Sequence, residues 1–160
     1  MLRNDKRFHV RRKDREITDL REIEQITRKA TVCHLGLVDN DEPYVVPVNF
    51  GYEQNALYFH SALEGRKVAL IKKNNKVCFE IDADVEIGKT DRSNCGVRYK
   101  SVIGTGRAYI LENNEEKVRG LKSIMRQCAG GEYSFSEEKL DTVLVIRIDI
   151  ESITGKQSGY

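Results

Sequence analysis

Residues 31–60 read TVCHLGLVDNDEPYVVPVNFGYEQNALYFH, and this stretch decides the fold. Three runs rich in β-branched and aromatic residues, 31–38, 43–52 and 56–60, are separated by Asp39-Asn40-Asp41-Glu42 and by Gln54-Asn55. Connections this short can only join strands that run in opposite directions, so an antiparallel meander is predicted. Pro47 sits in the middle of the second run and removes a ladder donor. It signals an edge, a bulge, or a place where a flat heterocycle occupies the hydrogen-bonding edge of the sheet.

Working outward, residues 19–30 read as a helix, with Asp19 as a cap, Glu22 three residues on, and Leu20, Ile23, Ile26 and Ala30 on one face. A short helix is predicted over 65–73 and a strand over 76–82, then an irregular charged segment over 83–96. Residues 97–110 form a long strand interrupted by Gly104 and Gly106, which share a face and mark a bend, a bulge or a close approach. An amphipathic helix over 114–128 and a last alternating strand over 142–150 complete the pattern. Helices between strands are too few for a doubly wound parallel sheet. The expected fold is mainly β: a curved antiparallel sheet or barrel of about six strands with about three helices outside it, in which the glycine-interrupted long strand suits a barrel corner.

At 160 residues, with 39% apolar and 32% charged side chains, the chain has the composition of one globular domain. Its formal net charge of +2 is unevenly placed. Residues 1–16 carry Arg3, Lys6, Arg7, Arg11, Arg12, Lys13 and Arg15 against Asp5, Asp14 and Glu16, which leaves the remainder mildly acidic. This basic head lacks an apolar segment behind it, so no secretory signal is expected. No apolar run approaches the ~18 residues of a membrane-spanning helix, and a cytoplasmic protein without a membrane partner is expected. The head has Phe8 as its one aromatic residue and no recognition motif, so nucleic acid is not expected as a partner. The four cysteines, Cys33, Cys78, Cys95 and Cys128, form no C-x-x-C pair and read as reduced, mostly buried thiols. Cys33 and His34 are neighbours on a strand and point to opposite faces, so no metal site is expected.

The segment that carries chemistry is Tyr58-Phe59-His60-Ser61-Ala62-Leu63-Glu64-Gly65-Arg66-Lys67. A strand ends in a hydroxyl, a short turn follows, and a helix opens on two cations. Cations oppose the positive end of a helix dipole, and a bound phosphate would reverse that conflict by accepting from Ser61, Arg66, Lys67 and the free N–H groups. The alternative is a solvated pair of surface charges, and spacing alone leaves both readings open. The glycine pattern is neither a dinucleotide fingerprint nor a phosphate-binding loop of the nucleoside triphosphatases. His60 and Ser61 diverge as strand neighbours, and there is no G-x-S-x-G elbow, which argues against a serine hydrolase. Arg98-Tyr99-Lys100-Ser101 places Tyr99 and Ser101 on one strand face.

Taken together, Arg11 to Ile17, Cys33-His34-Leu35-Gly36-Leu37-Val38, Pro43-Tyr44-Val45-Val46-Pro47-Val48-Asn49-Phe50-Gly51-Tyr52, Leu57-Tyr58-Phe59-His60-Ser61-Ala62, Gly65-Arg66-Lys67, Val77-Cys78-Phe79-Glu80 and Tyr99-Lys100-Ser101-Val102-Ile103-Gly104-Thr105-Gly106 resemble the pyridoxamine 5′-phosphate oxidase-like flavoproteins. The resemblance is to the 5-nitroimidazole resistance branch in particular and spans about residues 11–155. It implies an FMN-binding split β-barrel over residues 11–160, preceded by a flexible basic arm at 1–10. It also implies a homodimer with FMN at the subunit interface. The flavin ring would lie along Pro47, Val48 and Asn49, and the phosphate would meet Ser61, Arg66 and Lys67. Tyr99 and Ser101 would lie near the cofactor. His60 would lie close to the flavin or a bound small acid and is the candidate catalytic residue. The implied activity is flavin-dependent reduction of small molecules such as nitroimidazoles, compatible with a nicotinamide donor. The alternative is a flavin- or haem-binding protein of the same fold without fast turnover. The chain lacks tryptophan and ends Ile153-Thr154-Gly155-Lys156-Gln157-Ser158-Gly159-Tyr160, unlike the Trp- and Arg-rich substrate motif of true pyridoxamine phosphate oxidases, so vitamin B6 oxidation is not expected.

Overall fold

The predicted meander is present. In the computed structural model, which describes residues 10–88, 96–131 and 133–160, β2 (Val32–Asp39) and β3 (Glu42–Asn49) pair antiparallel without a break, from Val32 opposite Asn49 to Asp39 opposite Glu42. Their two-residue turn puts Asn40 at φ 56°, a left-handed conformation that asparagine tolerates. β4 (Gly51–Glu53) and β5 (Ala56–Ser61) form a second hairpin across Gln54 and Asn55, both at positive φ. The single strand expected over 43–52 is therefore split at Phe50.

The other elements are β1 (Glu16–Ile17), α1 (Leu20–Lys29), α2 (Arg66–Lys73), β6 (Lys76–Ile87), β7 (Val97–Ile110), α3 (Asn114–Cys128), α4 (Glu137–Asp141) and β8 (Leu144–Ser158). Asp19 caps α1 by accepting from the Arg21 N–H at 2.9 Å. Glu22 does not complete a capping box; it accepts from Lys100 on β7 at 2.7 Å. β6 runs five residues past its predicted end at Asp82, and of the irregular segment expected there, residues 89–95 lie outside the described residues. So does the basic arm predicted at 1–10, apart from Val10.

All strands belong to one antiparallel sheet, ordered β3-β2-β6-β7-β8-β5-β4, with β1 added on β8. Two expectations are corrected here. The fold is a mixed one, with four helices among the described residues beside the large sheet, not a mainly β fold with three. The sheet is also not closed into a barrel: the path ends at β3 on one side and β4 on the other. The prolines explain why. Pro43 and Pro47 have the same parity on β3, and the ladder to β2 is unbroken across both, so their nitrogens face the outer edge. That edge lacks two donors and cannot continue the sheet, even though β3 and β5 come into contact. At the other end β4 is three residues long and is covered by α3. Gly104 and Gly106, read as a barrel corner, serve a bulge and close packing. A Cβ at Gly104 would lie 2.2 Å from the Phe79 ring, and the β7–β8 register shifts between Thr105 and Gly106.

The main core lies on one face of the sheet. Cys33, Leu35 and Leu37 of β2, Val77, Phe79 and Ile81 of β6, and Val102 and Ala108 of β7 face inward in strict alternation. β5 is buried on both faces: Leu57 and Phe59 enter the main core, while Ala56 and Tyr58 enter a second cluster with Leu121, Ile124 and Leu140 of α3 and α4. The opposite face of β2, β3 and β7 leaves Val32, Val38, Val45 and Ile103 exposed. No helix among the described residues is long and apolar enough to cross a membrane.

The described cysteines Cys33, Cys78 and Cys128 are free thiols, but only Cys33 is buried. Burial pushes its thiol up to about 12. Thiolate is the reactive form, so alkylation at pH 8 is expected to leave Cys33 unmodified in the folded protein and to modify it fully after denaturation. Mass spectrometry of the tryptic peptides checks this.

Candidate functional site

β5 delivers His60 and Ser61 to the end of the sheet, opposite Val145 and Leu144 of β8. His60 is exposed and Ser61 half-buried. The chain then turns through Gly65, at φ 135° and ψ 168°, a region essentially closed to side-chain-bearing residues. Beyond its chain neighbours, no atom lies within 4 Å of where its Cβ would stand, so backbone conformation, not crowding, requires glycine here.

Gly65 supplies no side-chain cap to α2, and the first turn of α2 holds no acid. The other three helices are capped by Asp19, Asn113 and Ser136 and begin with carboxylates. α2 instead opens on Arg66 and Lys67. Lys67 is half-buried, with its ammonium 5.3 Å from the centre of the Phe59 ring. Burial pushes its pKa down. Among the described residues no carboxylate lies within ion-pair distance of it. Arg66 donates from Nη2 to Asp39 Oδ2 at 3.1 Å, and its guanidinium stacks 4.7 Å from the Tyr44 ring centre. The start of α2 offers an anion two cations and uncapped N–H groups, and the Ser61 hydroxyl ends the strand that precedes it.

The nine predicted residues fall into three groups. Arg66 and Lys67 open α2, while His60 and Ser61 end β5, just before the turn that leads into that helix. Pro47, Val48 and Asn49 lie on the open edge strand β3. Val48 is turned into the core, while Pro47 and Asn49 face outward, and the Asn49 side-chain amide donates to Thr31 O at 3.1 Å. Tyr99 and Ser101 are not brought to the others. Ser101 sits between Asp82 and Lys156, and Tyr99 lies opposite Ser158 with Lys156 Nζ 5.7 Å from its ring centre. In the strand order this is three spacings from β3, roughly 14 Å.

Sequence reasoning missed three residues with a place at the site. His34 lies directly across from Pro47, with its Nδ1 3.2 Å from Glu80 Oε2. Burial and the neighbouring Asp82 carboxylate raise the Glu80 pKa, and His34 partly opposes that. Asp39 and Tyr44 hold Arg66. All three form their contacts through cross-strand register or across the helix, so nothing in local spacing announces them. A cavity of about 280 Å³ lined by Lys29, Ala30, Thr31, Val32, Asp82, Ala83 and Asp84 contains none of the nine.

The sequence profile described as pyridoxamine 5′-phosphate oxidase matches residues 19–157. The chain belongs to the pyridoxamine 5′-phosphate oxidase-like family of FMN-binding proteins. Within the family it is similar to a Bacteroides thetaiotaomicron protein described as a 5-nitroimidazole antibiotic resistance protein, at 34% identity and a TM-score of 0.81, over 89% of this chain and 86% of that one. Two further structures share the fold. A flavocytochrome from Azotobacter vinelandii matches at 20% identity and a TM-score of 0.82, over 98% of this chain and 75% of that one. A Mycobacterium smegmatis protein described as FAD- and haem-binding matches at 14% identity and 0.80, over 91% and 74%. No curated protein matches significantly.

Proposed function

We propose that this family member binds FMN and passes electrons from a reduced nicotinamide to small molecules, nitroimidazoles among them. The observation that carries the reading is Lys67: a half-buried ammonium without a carboxylate among the described residues, in the first turn of an uncapped helix. Both circumstances are unfavourable for the protein alone, and a phosphate dianion reverses both. The donor set therefore fits the FMN phosphate, held by Ser61, Arg66 and Lys67. The outer edge of β3 fits the polar rim of the ring, because β2 leaves the Pro47 carbonyl and the Asn49 N–H unpaired there. Val48 contributes backbone only, its side chain being in the core. Bound FMN supplies the acceptor and donor of electrons. His60, exposed one residue before Ser61, is the side chain we assign to the substrate.

We further infer a homodimer with FMN at the subunit interface. Tyr99 and Ser101 lie too far along the sheet to join the other seven within one chain, and a second copy packed on the exposed face of Val32, Val38, Val45 and Ile103 would bring them in. The nitroimidazole acceptor is supported by the similarity to the Bacteroides protein. A second reading, a flavin- or haem-binding protein without fast turnover, is supported by the descriptions of the Azotobacter and Mycobacterium structures.

The absorption spectrum of the purified protein tests these together. Flavin bands are expected, with FMN, not FAD, released on denaturation, followed by anaerobic reduction of a nitroimidazole on adding a reduced nicotinamide. A Soret band, or flavin without turnover, favours the second reading. A colourless protein that takes up no added FMN refutes the flavin reading.

A further inference from the structure

We propose that Asp39 and Tyr44 are positioning residues for Arg66, holding its guanidinium ready for the flavin phosphate; this rests on the flavin reading above. An arginine at the start of a helix and about half-exposed would ordinarily sample many rotamers. Here two groups of the β2–β3 hairpin restrain it, a carboxylate oxygen 3.1 Å from Nη2 and an aromatic face 4.7 Å away. Neither group is itself loose. Asp39 closes β2 opposite Glu42, beside the tight turn at Asn40. Tyr44 pairs with buried Leu37 and packs against the main core. The same turn grips the other end of α2, where Lys73 donates to the Asn40 side chain. The hairpin thus fixes both the helix and the direction of its first cation.

A guanidinium has five N–H donors in a rigid fork. Asp39 engages one Nη2 atom, and among the described residues Nε and Nη1 make no hydrogen bond. Two opposing effects of Asp39 have to be weighed. Its charge repels a phosphate, but the pair is exposed and therefore screened. Its hydrogen bond removes rotamer freedom that a binding anion would otherwise have to remove. The second effect wins, so loss of Asp39 weakens phosphate binding instead of strengthening it.

Titration of the full-length apoprotein with FMN and, separately, with riboflavin tests this, because only FMN carries the phosphate. Asp39→Ala is expected to weaken FMN about tenfold and to leave riboflavin unchanged, which also reports that the ring site is intact. Asp39→Asn keeps an acceptor oxygen without the charge and is expected to stay close to the parent. Tyr44→Leu is expected to weaken FMN selectively, and Tyr44→Phe to restore it. Lys73→Ala, which releases the far end of α2 without touching the turn beside Asp39, is expected to leave the preference for FMN over riboflavin unchanged. Tighter FMN binding by both Asp39 variants would make Asp39 a competitor and overturn the proposal. Equal loss of FMN and riboflavin would reduce its role to structure and overturn it too. A parent protein that binds the two flavins alike would remove the phosphate reading itself, and the proposal with it.

Discussion

Gly51→Ala is expected to destabilise the protein by about 3–5 kcal/mol and to lower its melting temperature by roughly 10 °C or more. A Cβ at Gly51 would stand 2.3 Å from the Ser123 carbonyl carbon and 2.4 Å from the Ile124 N, both backbone atoms inside α3. No rotamer change relieves a collision with backbone, so the helix must move away from β4. Moving it is costly because α3 is fastened there. The Gln127 side chain accepts from the Tyr52 N–H at 2.8 Å and donates to the carbonyls of Thr27 and Ala30, tying α3 to β4 and to the end of α1. Gly120 seats the same helix one step further along, where a Cβ would meet Val145 at 2.7 Å and Tyr58 at 2.9 Å. Gly36→Ala is the control. Its Cβ would be 3.5 Å from the nearest atom, Cys78 O, and the change is expected to stay within about 0.5 kcal/mol. Chemical denaturation of both variants decides the matter; a Gly51→Ala protein as stable as the parent would mean that α3 does not bear on β4 this closely.

How much of this was legible beforehand depends on the range of the interactions involved. The hairpins β2–β3 and β4–β5, the Asp19 cap and the Gly65 helix start are encoded by residues within a few positions of one another, and the sequence reading places them correctly. Closure of the sheet is a long-range property. It turns on whether the outer edge of β3 meets a partner, and Pro47 alone is compatible with an edge, a bulge or a segment facing a ligand. Gly104 and Gly106 are legible as a bulge or a close approach, but the neighbours that demand it are not. Their purpose is set by Phe79 and by Asp149, residues of neighbouring strands. At the site, local order pointed to Ser61, Arg66 and Lys67 because strand, turn and helix follow in succession. The supports of Arg66 were invisible because Asp39 lies 27 residues away in the chain. His34 has no partner nearby in the sequence, and Glu80, 46 residues on, supplies one.

Replacing Arg66 and Lys67 together by alanine is expected to abolish FMN retention while leaving a folded protein. Hydrogen bonds from charged donors contribute about 1.5–3 kcal/mol each, so losing two weakens FMN by roughly a hundredfold to ten-thousandfold. The cost to the fold should be small, and the reason differs between the two residues. Arg66 gives up an exposed ion pair with Asp39, worth about 0–1 kcal/mol. Lys67 gives up no ion pair among the described residues and relieves the burial of an ammonium that the protein itself does not neutralise. The flavin-free double variant should therefore melt close to the flavin-free parent. Adding FMN should raise the melting temperature of the parent alone, since a ligand stabilises only the state that binds it. The two single variants separate the contributions: Lys67→Ala should lose FMN with an unchanged or higher flavin-free melting temperature, a combination that a purely structural lysine would not give. Undiminished flavin occupancy in the double variant would place the phosphate elsewhere.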